Sequence, residues 1–380
     1  MNTSMLPSWN MDFLSEVPRF EVDPERCVES VKAVFFEGAP WKGKPTRVFA
    51  YCGIPKTKAD EQVPAMVLVH GGGGSAYHHW VKLWVSRGYA AIAMDTCGCI
   101  SGSGHENHTR HADGGPAGWG GFDQIDEPAE DQWAFHAVSA VVRAHSLLRS
   151  FPQVDPARIG ITGISWGGYL TCISAGIDQR FAFAAPVYGC GFLTEIPNWR
   201  VEFDKMKPGN SERWGRLWDP LNYLSQVKYP MLWVNGTNDF AFPMDSWQKS
   251  YRLLEGSRTL SLKVRMEHNH RAGENPSEIH AFADSILRSA GPLAQITHCS
   301  LEGRNLRASF ESCEPITKAE FCYTTETGVW VNRQWQTLLA ELDAVGGNVS
   351  ADLPAATTVC YLNIIDSKDR VMSSEHVEIY

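Results

Sequence analysis

A serine stands between glycines at the end of a strongly apolar run, in the segment "GISWG" from Gly163 to Gly167. The spacing fits the pattern G-x-S-x-G, in which a sharp turn between a strand and a helix lifts the serine oxygen above a sheet edge. The apolar run "RIGITG" leads into the motif, and the helical pattern "GYLTCISAG" follows it. Because the motif requires this context, Ser165 is predicted to be a nucleophile and not merely a small residue in a glycine-rich turn.

Residues that can act as acid and base follow Ser165 in the chain. Asp239 comes after the apolar run "PMLWVNG", and its alternative role is to cap the helix predicted at "PMDSWQ". The next apolar run, "SLKVRM", leads into "EHNHRAGENP", which contains His268 and His270. A base on this loop would face Ser165 with one ring nitrogen and Asp239 with the other. Both histidines suit this position. His270 is preferred because it lies deeper in the loop, and His268 is then a supporting or pocket residue.

Backbone N–H groups that could stabilise a developing oxyanion are predicted at two places in the sequence. One is Trp166, the residue directly after the predicted nucleophile. The other is the segment "HGGGGS", from His70 to Ser75, in which Gly72 or Gly73 is expected to supply the second N–H. A phosphate-binding role for these glycines is disfavoured, because no lysine follows in P-loop register and the fingerprint G-x-G-x-x-G is not matched.

Alternating strands and helices are predicted to position these residues. Short apolar runs alternate with amphipathic patterns such as "EDQWAFHAVSAVVRAHSLLRS", which is typical of an α/β protein with a mostly parallel sheet and helices on both faces. A β-hairpin between Val28 and Pro55 precedes them and is expected to add antiparallel strands at one edge. The strands are predicted at residues 65–70, 90–95, 158–163, 181–189, 230–236 and 262–266.

The pattern changes after about Pro292, where helical periodicity gives way to short predicted strands separated by turn signals. Their spacing indicates a small β-sandwich with immunoglobulin-like or fibronectin-like dimensions. We therefore expect an α/β domain with the N-terminal hairpin at residues 1–292 and a β-sandwich domain at residues 293–380. The sandwich is expected to pack against the α/β domain and shape its entrance, with carbohydrate binding and dimerisation as alternatives.

Long irregular segments, Cys97 to Glu130 and Gly191 to Asn222, interrupt the α/β part. Loops of this length in a compact domain are usually lids or binding loops. Their aromatic residues are candidates for a pocket wall, with ordinary core packing as the alternative. These residues are Trp119, Phe122, Trp199 and Trp214.

From about Pro64 to Leu287 the chain resembles an α/β-hydrolase, of the group that holds acetyl xylan esterase-like and dienelactone hydrolase-like enzymes and prolyl oligopeptidase catalytic domains. The matching segments are "HGGGGS", "GISWGGYL", "PMLWVNGTNDFAFP" and the histidine loop. The resemblance implies the α/β-hydrolase fold and a triad of Ser165, Asp239 and His270, in the chain order of that fold. The sequence departs from the family pattern in having two histidines in the loop, which leaves His268 as the alternative base.

A serine carboxylesterase that hydrolyses small acyl esters, acetylated carbohydrate among them, is the favoured function. In its mechanism an acyl-enzyme forms on the serine, and water then hydrolyses it. A serine aminopeptidase or oligopeptidase is the alternative. It is disfavoured because the β-propeller of oligopeptidases does not fit in the roughly 60 residues before the hydrolase segment. A non-catalytic binding protein on the same fold is a second alternative, against which the intact serine, aspartate and histidine argue.

Neither a metal nor an organic cofactor is expected for this chemistry. His105, His108 and His111 are spaced three apart. They lie in no predicted helix and lack supporting cysteines or carboxylates, so a loop or pocket role is favoured over a metal site.

Composition and charge limit the classes of partner that we expect for this protein. Hydrophobic residues make up 43% of the chain and charged residues 20%, as in an ordered globular protein. The net charge of −9 comes without any run of lysines and arginines, so the expected partner is a small-molecule or carbohydrate ester and not nucleic acid or a membrane. Formation of a homo-oligomer stays open. The N-terminus shows no signal-peptide pattern, which predicts a cytoplasmic location; prior removal of a signal would leave a secreted or periplasmic location open.

Overall fold

The computed structural model describes residues 6–58, 60–101 and 108–379. Among them, strands alternate with helices up to residue 288, and short strands follow from residue 295. The strands up to residue 263 are, in chain order, β1 (Phe20–Val28), β2 (Val31–Glu37), β3 (Arg47–Gly53), β4 (Val63–Val69), β5 (Ala90–Met94), β6 (Cys99–Ile100), β7 (Thr109–Arg110), β8 (Val154–Ile164), β9 (Phe183–Val187), β10 (Met231–Gly236) and β11 (Arg258–Lys263). The helices are α1 (Met11–Ser15), α2 (His78–Ser86), α3 (Trp133–Arg149), α4 (Trp166–Ile177), α5 (Pro197–Phe203), α6 (Asn210–Trp218), α7 (Met244–Tyr251), α8 (His270–Gly273) and α9 (Ser277–Arg288).

The largest sheet joins, within the described residues, nine strands in the order β1-β2-β3-β5-β4-β8-β9-β10-β11. Neighbouring strands from β5 to β11 run parallel, whereas the pairs β1–β2, β2–β3 and β3–β5 are antiparallel. This is the mostly parallel sheet that the alternating pattern predicts. The strands β4, β5, β9 and β10 are buried along their whole length, which explains their unbroken apolar sequences.

Agreement with the predicted strands is good in the middle of the sheet and poorer at its two ends. The hairpin prediction is confirmed by β2 and β3. The strand β1 is missed, because its side chains are mostly exposed and show no apolar alternation. The strand predicted at residues 262–266 is wrong in its position, since β11 covers residues 258–263. The chain then leaves the sheet and turns at Arg265, whose φ is 54°.

The order of the strands reverses at β4, which fixes where a ligand can bind. From β4 the chain crosses through α2 to β5 on one side, and from β5 it passes through α3 to β8 on the other. Because such crossovers are right-handed, α2 and α3 cover opposite faces of the sheet. The carboxyl ends of β4 and β8 therefore border the crevice in which open α/β sheets bind their ligands.

The C-terminal strands form antiparallel sheets, as the spacing of the short strands predicts. They are β12 (Gln295–Glu302), β13 (Asn305–Glu311), β14 (Ile316–Thr324), β15 (Gln336–Leu339), β16 (Glu341–Asp343), β17 (Asn348–Asp352), β18 (Val359–Asp366), β19 (Val371–Ser373) and β20 (Val377–Glu378). In the described part of the chain one sheet has the order β12-β13-β17-β16, and the other has the order β15-β14-β18-β19 with β20 beside β18. The fold class predicted from the sequence is confirmed, while the domain boundary at residue 292 stays a prediction.

The C-terminal sheets share a hydrophobic core with the α/β part, since one cluster of buried side chains contains both Leu262 of β11 and Tyr361 of β18. Ser373 Oγ accepts a hydrogen bond from Leu262 N at 2.8 Å and so joins the two parts through the backbone of β11. Within the ranges that the structure describes, no helix is long and apolar enough to cross a membrane.

Buried histidines make the folded chain sensitive to acid. Burial lowers the pKa of His70 and His376 to about 3 and the pKa of His136 and His280 to about 4. Below pH about 6.5 each of these side chains therefore binds a proton in the unfolded chain before it does so in the folded one. The stability that they contribute is present above this pH and is lost as the pH falls towards 3 to 4.

We expect the free energy of unfolding to decrease as the pH falls from about 6.5 to about 4. Burial raises the pKa of Asp95 and Asp219 to about 6, so these carboxyls act in the opposite direction. On unfolding, the four imidazoles take up more protons than the two carboxyls release. The chain is therefore expected to bind about two protons when it unfolds near pH 5. Thermal unfolding between pH 8 and pH 4 measures this dependence. His280→Asn should reduce the slope, whereas the same substitution at the exposed His298 should leave it unchanged. A midpoint that stays constant from pH 7 to pH 5 would contradict the prediction.

Candidate active site

Ser165 occupies the turn between β8 and α4, where the sequence motif predicts it. Its backbone has φ 59° and ψ −120°, a conformation that costs a residue with a side chain about 1–3 kcal/mol. Its N–H donates to Val187 O at 2.9 Å, which fixes the turn against β9. Glycine is required at position 163, since a Cβ on Gly163 would lie 2.2 Å from Gly167 O. The strained turn therefore presents the Ser165 hydroxyl at the carboxyl ends of the strands.

His268 lies between Ser165 and Asp239. Its Nε2 is 2.8 Å from Ser165 Oγ, and its Nδ1 is 2.6 Å from Asp239 Oδ2. Because a carboxylate only accepts hydrogen bonds, Nδ1 carries the proton that is donated to Asp239, and Nε2 accepts from the serine hydroxyl. The Asp239 side chain is fully buried, and that of His268 is 13% exposed. A serine, an imidazole and an orienting carboxylate at these distances can perform nucleophilic acyl transfer.

His270, the predicted base, does not occupy the position beside Ser165 in the structure, because its ring is directed to a different partner. Helix α8 begins at His270, and Asn269 caps its N-terminus. The helix directs the His270 ring to Glu274, with Nδ1 3.0 Å from Glu274 Oε2. The chain leaves the sheet earlier than the predicted strand implies, so His268 already lies far enough along the loop to reach the serine. The signals for this outcome are the asparagine cap and the i, i+4 spacing of His270 and Glu274.

The loop after β10 holds the Asp239 carboxylate. Its Oδ1 accepts hydrogen bonds from Ala241 N at 2.9 Å and from Phe242 N at 2.7 Å. Asn235 Nδ2, in β10, donates to Phe242 O at 2.9 Å and so ties the end of the loop back to the strand. One carboxylate oxygen is thus fixed by the loop, and the other is directed to His268. Helix α7 begins downstream of this loop with a proline at its N-cap, so Asp239 does not cap it.

Aromatic residues that the sequence analysis does not single out pack on His268. Tyr188, directly after β9, stacks on the imidazole with ring centroids 4.5 Å apart, and its hydroxyl donates to Glu267 O at 2.8 Å. Phe240 lies 4.8 Å from the same ring and is 49% exposed. The two contacts fix the plane of the imidazole and leave an apolar edge beside it. The signal for Tyr188 is its position directly after β9, and the signal for Phe240 is its position next to Asp239.

The glycine-rich segment after β4 forms a tight turn beside Trp166. Gly74 N donates to Gly71 O at 3.0 Å, and Gly73 has φ 68°. Gly72 lies so close to the Trp166 ring that a Cβ there would be 2.7 Å from Trp166 Cδ1. Trp166 is the first residue of α4, and the first N–H groups of a helix have no acceptor within that helix. The assignment of Trp166 and of Gly72 or Gly73 as oxyanion donors stays a prediction.

The buried His70 side chain holds this turn in place. Its Nδ1 donates to Gly71 O at 2.9 Å, and its Nε2 accepts from Thr96 N at 3.1 Å. Burial lowers the pKa of His70 to about 3, so the ring is neutral near pH 7 and keeps this tautomer. A neutral imidazole thus joins the ends of β4 and β5 and holds the glycine turn in place.

Aromatic side chains from the irregular segments and from the Asp239 loop pack around the Trp166 ring. Trp199 lies 4.8 Å from this ring, Phe122 lies 6.0 Å away and Phe242 lies 6.4 Å away, measured between ring centroids. Trp199 Nε1 donates to Ala241 O at 2.7 Å, which links the wall to the Asp239 loop. The other residues predicted for the wall contact its neighbours: Trp214 lies 5.3 Å from Phe122, and Trp119 lies 5.6 Å from His70.

A turn of the C-terminal part touches the Asp239 loop. Asn238, next to Asp239, donates from Nδ2 to Arg333 O at 2.7 Å and to Val331 O at 3.0 Å. Val329 and Val331 of this turn are exposed, as is Phe240 on the facing loop. The C-terminal turn therefore borders the entrance to the site.

The loop with the three spaced histidines is described only in part. His105 lies outside the described residues. His111 packs edge-on against Phe35, with ring centroids 5.2 Å apart, and burial lowers its pKa. This contact ties the loop to β2.

The sheet order, the strained serine turn and two family matches define the class of this protein. The chain has the α/β-hydrolase fold. Residues 18–202 match the model of acetyl xylan esterase (AXE1), and residues 126–287 match the model of the prolyl oligopeptidase family. The first match contains Ser165 and the glycine-rich turn, and the second contains Ser165, Asp239 and His268. One model is named for an esterase and the other for an oligopeptidase, so both describe hydrolases.

Solved structures of similar fold include two acetyl xylan esterases. The one from Paenibacillus sp. R4 superposes with a TM-score of 0.58 at 21% sequence identity, over 75% of this chain and 97% of that chain. Acetyl xylan esterase 1 from Thermoanaerobacterium sp. JW/SL YS485 gives a TM-score of 0.56 at 18% identity, over 73% of this chain and 91% of that chain. At these identities the likeness shows the fold.

Relatives found by sequence include an uncharacterized peptidase and an acylamino-acid-releasing enzyme. The uncharacterized peptidase YuxL of Bacillus subtilis is 24% identical over 210 residues, which are 50% of this chain and 28% of the relative. The acylamino-acid-releasing enzyme of Rattus norvegicus is 27% identical over 148 residues, which are 35% of this chain and 20% of the relative. The chain thus spans only a minor part of the length of these relatives.

Proposed function

We propose that the protein is a serine carboxylesterase that hydrolyses small acyl esters, acetylated carbohydrate among them. The observation that carries the proposal is the position of His268, whose two ring nitrogens lie within hydrogen-bond distance of Ser165 and Asp239. The match of residues 18–202 to the acetyl xylan esterase model supports this substrate class. The structural similarity over nearly the whole length of two acetyl xylan esterases supports the fold on which the proposal rests.

In the proposed mechanism Ser165 Oγ attacks the ester carbonyl carbon while its proton passes to His268 Nε2. Asp239 accepts the Nδ1 proton as a hydrogen bond and stabilises the imidazolium. The negative charge on the carbonyl oxygen is stabilised by Trp166 N–H and by an N–H of Gly72 or Gly73. The alcohol leaves with the proton from His268, and water hydrolyses the acyl-enzyme by the same steps with the histidine again as base.

The aromatic wall around Trp166 supports a small acyl group. The Trp199 and Phe242 rings lie 6.1 Å apart, both near the Trp166 ring, and Phe242 is fully buried. Large rigid rings leave little room for a long acyl chain, because packed aromatic side chains do not move aside without loss of contact energy. We therefore propose that acetyl is preferred over longer acyl groups.

A peptidase of the prolyl oligopeptidase type is the second candidate function. The match of residues 126–287 favours it, since this range contains the serine, the acid and the histidine. Ester and peptide hydrolysis use the same triad, so the difference lies in what binds on either side of the scissile bond.

A panel of substrates tests the proposal. We expect kcat/KM for p-nitrophenyl acetate to exceed that for the octanoate ester by at least about tenfold and to exceed that for aminoacyl p-nitroanilides by more. Acetylated xylo-oligosaccharides are expected to release acetate in the same preparation. Faster cleavage of aminoacyl anilides than of acetyl esters would establish the peptidase alternative.

A matched variant tests the role of the aromatic wall. Trp199→Ala should open space next to Trp166 and raise kcat/KM for the octanoate ester relative to the acetate ester. Arg200→Ala, at the neighbouring exposed position of α5, serves as the control and should keep the original ratio. An unchanged ratio in Trp199→Ala would show that the wall does not bind the acyl group.

A further inference from the structure

Three metal-ligating side chains meet beside the active-site loop, in a cluster formed by His79, His270 and Glu274. His79 Nε2 is 3.0 Å from Glu274 Oε2, and His270 Nδ1 is 3.0 Å from the same oxygen. The candidate ligand atoms of the cluster all lie within 4.8 Å of one another. None of these side chains takes part in the hydrogen bonds of His268.

The scaffold holds the cluster together by contacts other than those between the ligands. Trp80 Nε1, on the residue after His79, donates to Glu274 O at 3.1 Å and fixes α2 against α8. The His270 ring packs edge-on against Trp80 and Tyr77, with centroids 5.0 Å and 4.1 Å away. Packing therefore brings the candidate metal ligands together before any ion binds, which reduces the entropic cost of ordering them.

The spacing of the donors suits a small transition-metal ion. Ligand atoms at about 2.1 Å from a tetrahedral zinc ion are about 3.4 Å from each other, so the observed separations need to widen by about 0.4 Å. His79 is half-exposed and can adjust by this amount, and its exposure leaves room for water as a further ligand. Glu274 also supplies an anionic oxygen ligand of the kind that binds a divalent cation.

We propose that His79, His270 and Glu274 form a binding site for a divalent transition-metal ion, with zinc the best-fitting ion and water completing its coordination. Imidazole and carboxylate ligands in a tetrahedral arrangement are a ligand set that zinc favours. The site joins α2 to α8, and α8 begins two residues after His268. The bound ion would brace the segment that carries this histidine, and its own chemistry is not needed for the ester reaction.

Titration of the metal-free protein with ZnCl2 at pH 7.5, followed by calorimetry, tests the site. After treatment with EDTA and its removal, the wild-type chain should bind one zinc ion with a dissociation constant below about 10 μM. His79→Ala and Glu274→Gln should each weaken binding by at least about tenfold. Co²⁺ in place of zinc should give visible absorption in the wild-type protein and lose it in His79→Ala.

Matched variants separate this site from other histidines and from the proposed esterase activity. His298→Ala, at an exposed position of β12, should bind zinc as the wild type does. Ser165→Ala should also keep full affinity, so failure of the esterase proposal would leave the metal result intact. Equal zinc affinity in the wild type, His79→Ala and Glu274→Gln would overturn the proposal, as would absence of binding by the wild type. Circular dichroism and thermal unfolding verify that each variant is folded.

Discussion

Ser165→Ala is expected to reduce kcat for hydrolysis of p-nitrophenyl acetate by about 10⁴- to 10⁶-fold. The substitution removes the atom that forms the acyl-enzyme and leaves the Cβ and the strained turn in place. Covalent labelling by a fluorophosphonate probe should be abolished together with activity, because the probe reacts with the same activated oxygen. Steady-state kinetics and gel detection of the probe measure the two effects on one preparation.

Ser174→Ala is the matched control for this experiment. Ser174 is buried in the same helix α4, so its loss tests whether a serine-to-alanine change in this region disturbs folding. The control should retain labelling at the wild-type rate. Undiminished labelling of Ser165→Ala would show that another residue is the nucleophile, and the proposed mechanism would then be wrong.

The next largest effect is expected at the histidine that faces Ser165. His268→Ala should lower kcat for the same ester by at least about 10³-fold, because no base then takes the serine proton and Asp239 loses its partner. His270→Ala should cost less than about tenfold without added metal. The loss there is confined to the packing of α8, because the His270 ring contacts Tyr77, Trp80 and Glu274 and not the serine.

The comparison between these two variants is decisive because the residues lie two positions apart on one loop. Thermal unfolding of both proteins separates a loss of chemistry from a loss of fold. If His270→Ala loses activity by orders of magnitude and His268→Ala does not, the base is His270, and the loop must rearrange when substrate binds.

The serine and the acid could be predicted because each depends on local sequence. Ser165 is marked by glycines that the elbow requires, and Asp239 follows an apolar strand that is buried on both faces. Parallel strands end at one edge of the sheet, so residues placed after such strands meet there without further information. The glycine-rich turn beside Trp166 is found by the same argument.

The histidine could not be assigned in this way, because its position depends on where β11 ends. The apolar pattern extends to Met266, but the last paired residue is Lys263. Hydrogen bonding to the neighbouring strand and not side-chain polarity decides this boundary. A difference of three residues is enough to exchange the roles of His268 and His270.

Other features of the site were beyond prediction because they join distant parts of the chain. The stacking of Tyr188 on His268 and the hydrogen bond from Trp80 to Glu274 O have no local pattern. The strand β1 was missed for a related reason, since an exposed edge strand is held by backbone pairing and not by an apolar face. Tertiary contacts of this kind appear only once the fold is known.

The hydrogen bonds of Asn238 connect the C-terminal part directly to the loop that holds Asp239. One amide group connects the loop of the catalytic acid to the backbone carbonyls of Val331 and Arg333. A domain grafted from another protein would have to supply the same backbone carbonyls, and a change in the length of the turn would reach Asp239 through Asn238. The C-terminal part therefore cannot be exchanged without affecting the loop that holds Asp239.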